Sequence, residues 1–189
     1  MAIGALLVGL FAVMDPHIRT TSPDLRALVR EGAQRSATFR SLVTRLEQSD
    51  VVVYLEYDRR SMVDVRGFLT FISSAGGRRY VRVKIEWQLP REPQLAILGH
   101  ELQHAVEISE APDVVDDESL LRFYSRVGTH WHVGARRCFD TRAAVAMGGQ
   151  VLREIRRREP RATPEMPDAH NLHGRHPIVL EASPDSGIH

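Results

Sequence analysis

With 189 residues, 43% hydrophobic and 26% charged, the chain is long enough for one compact domain with a real core and too short for two large ones. A balance of 25 basic and 24 acidic residues gives a formal net charge of +1, which excludes the overall field that draws in nucleic acid or an anionic membrane surface. The single cysteine, Cys138, excludes an intramolecular disulfide and any multi-cysteine metal knuckle.

The chain begins with an apolar stretch, Met1 to Met14, too short for a comfortable transmembrane span and the right length for the core of a signal peptide, although it lacks the usual Lys or Arg in front. An export signal, a lipid-facing anchor and a buried first helix all fit residues 1–15. Export is the favoured reading, with a mature chain starting near Asp15 and an exported, periplasmic or extracellular location. Membrane association is expected only through this segment.

Ser22-Pro23-Asp24 is an N-cap residue followed by proline at the first helical position, and Leu25, Leu28 and Val29 supply the apolar stripe of a short helix. A second helix is predicted from Ala37 to Gln48, where Phe39, Leu42, Val43 and Leu46 share one face. The period then changes. Val51–Leu55 and Gly67–Ile72 are β-branched and aromatic and read as strands, and Gly76-Gly77 turns the chain into a third. There Val81, Val83, Ile85 and Trp87 alternate with Arg82, Lys84 and Glu86, the pattern of a half-buried strand, taken as an edge able to accept an extended peptide.

Pro90 and Pro93 open a helix from Arg91 to Ser109, which Ala111-Pro112 ends. A further helix is predicted over Asp117–Val127 with Gly128 at its end. A last one, Asp140–Arg158, is expected to bury Ala144, Met147, Val151 and Ile155, with the basic run Arg156-Arg157-Arg158 on a solvated end. These elements define a domain over residues 16–159. Residues 160–189 hold many prolines and histidines with little apolar periodicity, so they read as a disordered tail in which His170, His173 and His176 are unstructured polar residues.

The chemistry concentrates in Ile97-Leu98-Gly99-His100-Glu101-Leu102-Gln103-His104-Ala105-Val106. Histidines four residues apart stand one above the other on a helix, where two imidazole nitrogens can grip one zinc ion. Glu101 lies beside them, able to take a proton from a metal-held water and pass it to a leaving amine. Aliphatic residues around the motif place it on a partly buried helix, where paired histidines need partners.

On these three residues the chain resembles the zincin metallopeptidases, whose hallmark is this helix preceded by a small sheet with a substrate-holding edge strand. The resemblance spans about Val51 to Ile155. It implies that His100 and His104 are zinc ligands and Glu101 the general base. A metzincin would need glycine at position 107 and histidine at 110, where this chain has Glu107 and Glu110. The gluzincin branch draws its third ligand from an acidic residue on a later helix, commonly followed by alanine three residues on, and Asp140 with Ala143 fits that loosely. Glu107 shares the histidines' face, but a straight helix sets it about 10 Å along the axis from His100, which suits a hydrogen bond to a ligand imidazole better than ligation. Glu118, Asp113, His130 and His132 complete the candidates. An oxyanion donor is sought in His130, His132 or Tyr124, for which a loop histidine pair and a core tyrosine are the plainer readings.

The expected architecture is therefore α+β, a small, largely antiparallel sheet with the zincin-like helix and flanking helices. The expected activity is zinc-dependent hydrolysis of a peptide or protein substrate, using Zn2+ held by His100, His104 and Asp140. A zinc-binding regulatory module without turnover and a metal-free interaction domain are the rivals. Oligomeric state and cleavage preference cannot be read from the chain.

Overall fold

The computed structural model describes residues 16–59, 65–133, 136–157 and 178–179. The Met1–Met14 segment and His170, His173 and His176 lie outside them. The fold is α+β. Among the described residues no helix is long and apolar enough to cross a membrane.

A short strand β1 (Ile18–Arg19) precedes helices α1 (Pro23–Arg35) and α2 (Ala37–Glu47). Ser22 caps α1 by accepting from the Leu25 amide at 3.3 Å, and Ser36 caps α2 by accepting from the Phe39 amide at 3.0 Å, so each helix starts where a side-chain oxygen replaces a missing backbone partner. Leu25, Leu28, Phe39, Leu42 and Leu46 are fully or almost fully buried.

Three long strands follow, β2 (Val51–Asp58), β3 (Gly67–Ala75) and β4 (Arg78–Glu86). Gly76 and Gly77, at φ of 58° and 72°, make the turn that folds β4 back on β3. β4 then lies between β2 and β3, parallel to the first and antiparallel to the second. The sheet is thus mixed rather than largely antiparallel, and β4 is an interior strand, not the edge its alternation suggested. Half-burial looks the same in sequence whether the exposed face belongs to a central or an edge strand. The alternation itself holds at Val81, Val83 and Ile85, which are buried, but Trp87 lies beyond the strand and is 50% exposed.

Helix α3 (Arg91–Ser109) packs against β2, β3 and β4 on one side and against α5 (Arg142–Arg157) on another. It is buried on nearly every face from Gln94 to Ile108, so any polar side chain it carries there is in the core. Its far end is held by Arg79 of β4, which donates to the carbonyls of Ile108, Ser109, Ala111 and Val114 and pairs with Asp50 at 2.7 Å. Helix α4 (Asp117–Val127) starts at an Asp116–Ser119 capping box.

Strands β5 (Thr129–Val133) and β6 (Arg136–Asp140) form an antiparallel hairpin where a loop carrying two histidines was expected. Asp140 is the last residue of β6, not the first turn of a helix. Thr141 caps α5 instead, accepting from the Ala144 amide at 3.1 Å. Gly148 is buried on α5 beside Ala144, Val151 and Ile155, while Met147 is only half-buried. Of residues 160–189 only Ile178–Val179 is described. It forms strand β7, parallel to β3 and antiparallel to β6, giving the sheet order β1-β2-β4-β3-β7-β6-β5.

Candidate metal centre

His100 and His104 stand one turn apart on α3, and both turn their Nε2 atoms toward the end of β6. The two nitrogens are 3.2 Å apart, and Asp140 Oδ1 lies 3.3 Å from the first and 3.6 Å from the second. Zinc bonds of about 2.0–2.2 Å at tetrahedral angles set neighbouring donors about 3.3–3.6 Å apart. The three donor atoms are therefore spaced like three corners of a zinc tetrahedron, and among the described residues they form the cluster able to hold a metal ion.

The ring of His104 is oriented from behind. Its Nδ1 is 2.9 Å from Glu107 Oε2, and an ionised carboxylate only accepts, so Nδ1 carries a proton and Nε2 faces the cluster. Glu107 in turn accepts from the Thr141 hydroxyl at 2.6 Å and the Tyr124 hydroxyl at 3.2 Å. Burial pushes the Glu107 carboxyl up, but these bonds, led by that from His104, hold it below its ordinary range. The sequence-based placing of Glu107 behind a ligand imidazole matches this contact.

A neutral His104 ring that donates through Nδ1 would aim a lone pair at the lone pairs of Asp140. Something positive must lie between them. Burial disfavours a charged His104, yet the bonds to Asp140 and Glu107 outweigh it and raise its pKa to about 9. Asp140 shows the counterpart, since burial raises its pKa but its bonds to His100 and His104 bring it to about 2. A proton supplies the positive charge in this arrangement, and a divalent cation between the same three atoms would do so more fully.

Glu101 is the second irregularity. It is 0% exposed, and among the described residues neither carboxylate oxygen has a hydrogen-bond partner. Burial drives its pKa well above the ordinary value, and the charges of Asp140 and Glu107 push the same way against the opposing pull of His104. Gly67 at the start of β3 covers it so closely that a Cβ there would stand 3.0 Å from Glu101 Oε1 and 2.5 Å from the Ile97 side chain. An orphaned buried carboxylate is expensive, and a water or cation beside it would meet the need. The donor set and this orphan together fit a zinc site.

No protein-family model, curated protein or solved structure matches the chain. The site must be read from its own residues.

The remaining sequence candidates are elsewhere. Asp113 and Glu118 are exposed, Glu118 pairing with Arg122. His130 and His132 are exposed on β5, and the His130 ring neighbours Phe139 at 6.3 Å. Tyr124 is buried with its hydroxyl on His104 O and Glu107, so it braces the histidine from behind and does not face the donors as an oxyanion stabiliser. Sequence reasoning missed Thr141 and Gly67. Thr141 had a signal in the preference of threonine for helix N-caps; Gly67 had none.

Proposed function

We propose that the protein is a zinc-dependent peptide hydrolase in which His100, His104 and Asp140 hold the ion and Glu101 is the general base. The carrying observation is the tetrahedral spacing of the three donor atoms beside a buried carboxylate that has no partner among the described residues. The arrangement resembles the gluzincin design, with aspartate from a strand end where glutamate from a helix is usual.

Zinc, when bound, supplies a Lewis acid that polarises a carbonyl and lowers the pKa of water at its open position. The chain's own residues do the rest. Glu101 would accept the proton of the attacking nucleophile at its carboxylate and pass it to the leaving amine, a task favoured by the raised proton affinity of a buried carboxylate. Glu107 holds His104 in the tautomer that presents Nε2, and Thr141 and Tyr124 hold Glu107. Asp140 contributes one negative charge and is the most solvent-accessible of the three donors, with its side chain 17% exposed.

Metal analysis of the purified chain should find zinc, and zinc-loaded protein should cleave denatured casein. Glu101→Gln should keep the zinc and lose the cleavage; full hydrolysis by that variant would end the general-base assignment, and failure to bind zinc would end the reading altogether.

The burial of the site favours a second reading. His100 is 2% exposed and His104 and Glu101 are 0% exposed, as in a zinc centre that stabilises a regulatory or interaction module without turnover. Under it, a chelator melts the domain and no peptide is cleaved.

A further inference from the structure

The gap between β3 and β6 is one strand wide, and β7 fills it. Ile178 is the register partner of Leu69 on one side and of Phe139 on the other, and Val179 is the partner of Cys138. Without β7 both flanking strands would present unpaired backbone amides and carbonyls, the surface on which an extended peptide adds as a strand.

The position of that gap relative to the donors is decisive. Leu69 is two residues from Gly67, the residue that covers Glu101, and Phe139 immediately precedes Asp140. At about 3.3 Å per residue along a strand and about 4.8 Å between strands, a backbone in this slot passes within a few residues of both the base and the acidic donor. β7 runs antiparallel to β6, so its N-terminal end points toward the Asp140 end of the slot. Only Ile178 and Val179 make the strand. So short a ladder opens locally far more readily than the nine-residue β3 and the five-residue β6 beside it.

We propose that Ile178–Val179 is a built-in strand that occupies the backbone-pairing slot for an extended peptide substrate between β3 and β6, so that the chain restrains its own access to substrate. The inference rests on the peptidase reading for the identity of the competitor, and on the register of β7 for the obstruction. Substrate then competes with a tethered segment, and its apparent affinity is lowered by the fraction of molecules in which the slot is closed.

The Cys138↔Val179 register offers a reversible lock. Directly opposed residues of an antiparallel pair have Cα atoms about 4.5–5.5 Å apart, inside the range a disulfide spans. In the full chain, zinc-loaded Val179→Cys should lose both free thiols under mild oxidation by bonding to Cys138. Casein hydrolysis should fall at least about tenfold and return with dithiothreitol, whereas the wild type, with Cys138 alone, should be unaffected by either treatment. Ile178→Pro, which puts a residue without a backbone N–H into the two-residue strand, should raise hydrolysis about threefold at unchanged zinc content.

Absence of the disulfide would show that β7 is not in this slot, and a disulfide that leaves hydrolysis unchanged would show that it does not obstruct; either overturns the proposal. If no form hydrolyses casein, the peptidase reading fails and the strand is judged by binding of fluorescent casein to Val179→Cys. Weaker binding after oxidation supports the obstruction, and equal binding overturns it. Circular dichroism of the oxidised and reduced forms, expected to be the same, separates locking from misfolding.

Discussion

Two buried charged groups lie along α3, Arg79 of β4 against its C-terminal end and Glu101 in its middle. Arg79 is 5% exposed and all of its nitrogens are occupied: Nε and Nη2 pair with Asp50, Nη2 also reaches Ser109 O, and Nη1 donates to three backbone carbonyls near the helix C-terminus. Glu101, within α3, is equally buried and has no partner for either oxygen among the described residues. Full satisfaction marks a structural charge, because a fold that removes a charge from water must replace the lost hydrogen bonds. An orphan marks a place where something else must arrive. The contrast separates a fully satisfied structural charge from the proposed metal centre.

The sharpest way to break the comparison is to remove each charge. Arg79→Met should lower stability to denaturant by about 3–5 kcal/mol, since it frees four carbonyls at the end of α3 and strands Asp50. A loss below about 1 kcal/mol would show that the network is ornamental. Zinc should act at the other region by mass action. At a free concentration of about one hundred times Kd it should raise unfolding free energy by about 2.7 kcal/mol, and this increment should vanish in His100→Ala, His104→Ala and Asp140→Ala. A persisting increment in Asp140→Ala would remove that residue from the donor set.

Glu101→Met should have the opposite sign to Arg79→Met. In zinc-free protein it replaces an unsatisfied acid by an apolar side chain of similar volume, and calorimetry should show a gain of about 2 kcal/mol. Glu107→Gln leaves the volume intact but weakens the brace on His104. Zinc affinity, by competition with a chromogenic chelator, should fall at least about tenfold, with Thr141→Val showing a smaller loss in the same direction.

The smallest effect belongs to Glu154, which joins α5 to the start of α2 by accepting from the Ser36 hydroxyl at 2.6 Å and from Thr38 N and Oγ1 at 3.0 and 2.7 Å. Burial raises its pKa, but these bonds and that from Gln150 lower it to about 2. A carboxyl whose folded pKa is depressed contributes stability above its unfolded value near 4.5, and that contribution is lost as pH falls from there toward 2. The carboxylate is partly solvated, so the loss should be only about 1 kcal/mol, and Glu154→Gln should flatten this part of the stability profile.

What could be read before the fold was known follows the range of the interactions involved. The helices at Pro23, Ala37, Arg91 and Asp117 were legible because caps, prolines and periods of 3.6 act within a few neighbouring residues. His100, Glu101 and His104 were legible for the same reason, since one helical turn alone brings the two rings together. Analogy to a helical ligand points to Asp140, yet it reaches the cluster from the end of a strand, in a hairpin that reads as a loop in the sequence. Helical rise suits Glu107 to a bracing role, and Thr141 and Tyr124, which hold it, are separated from it by 34 and 17 residues.

The sequence by itself determined the helices, the alternation of β4 and the paired histidines, all of them consequences of local geometry repeated along one element. Only the tertiary structure decided that β4 is central, that Asp140 meets the histidines, that Gly67 seals Glu101 and that residues 178–179 close the slot beside them. Those outcomes depend on strand order and register between distant segments, and a period of two repeats identically in an edge strand, a central strand and a two-residue strap.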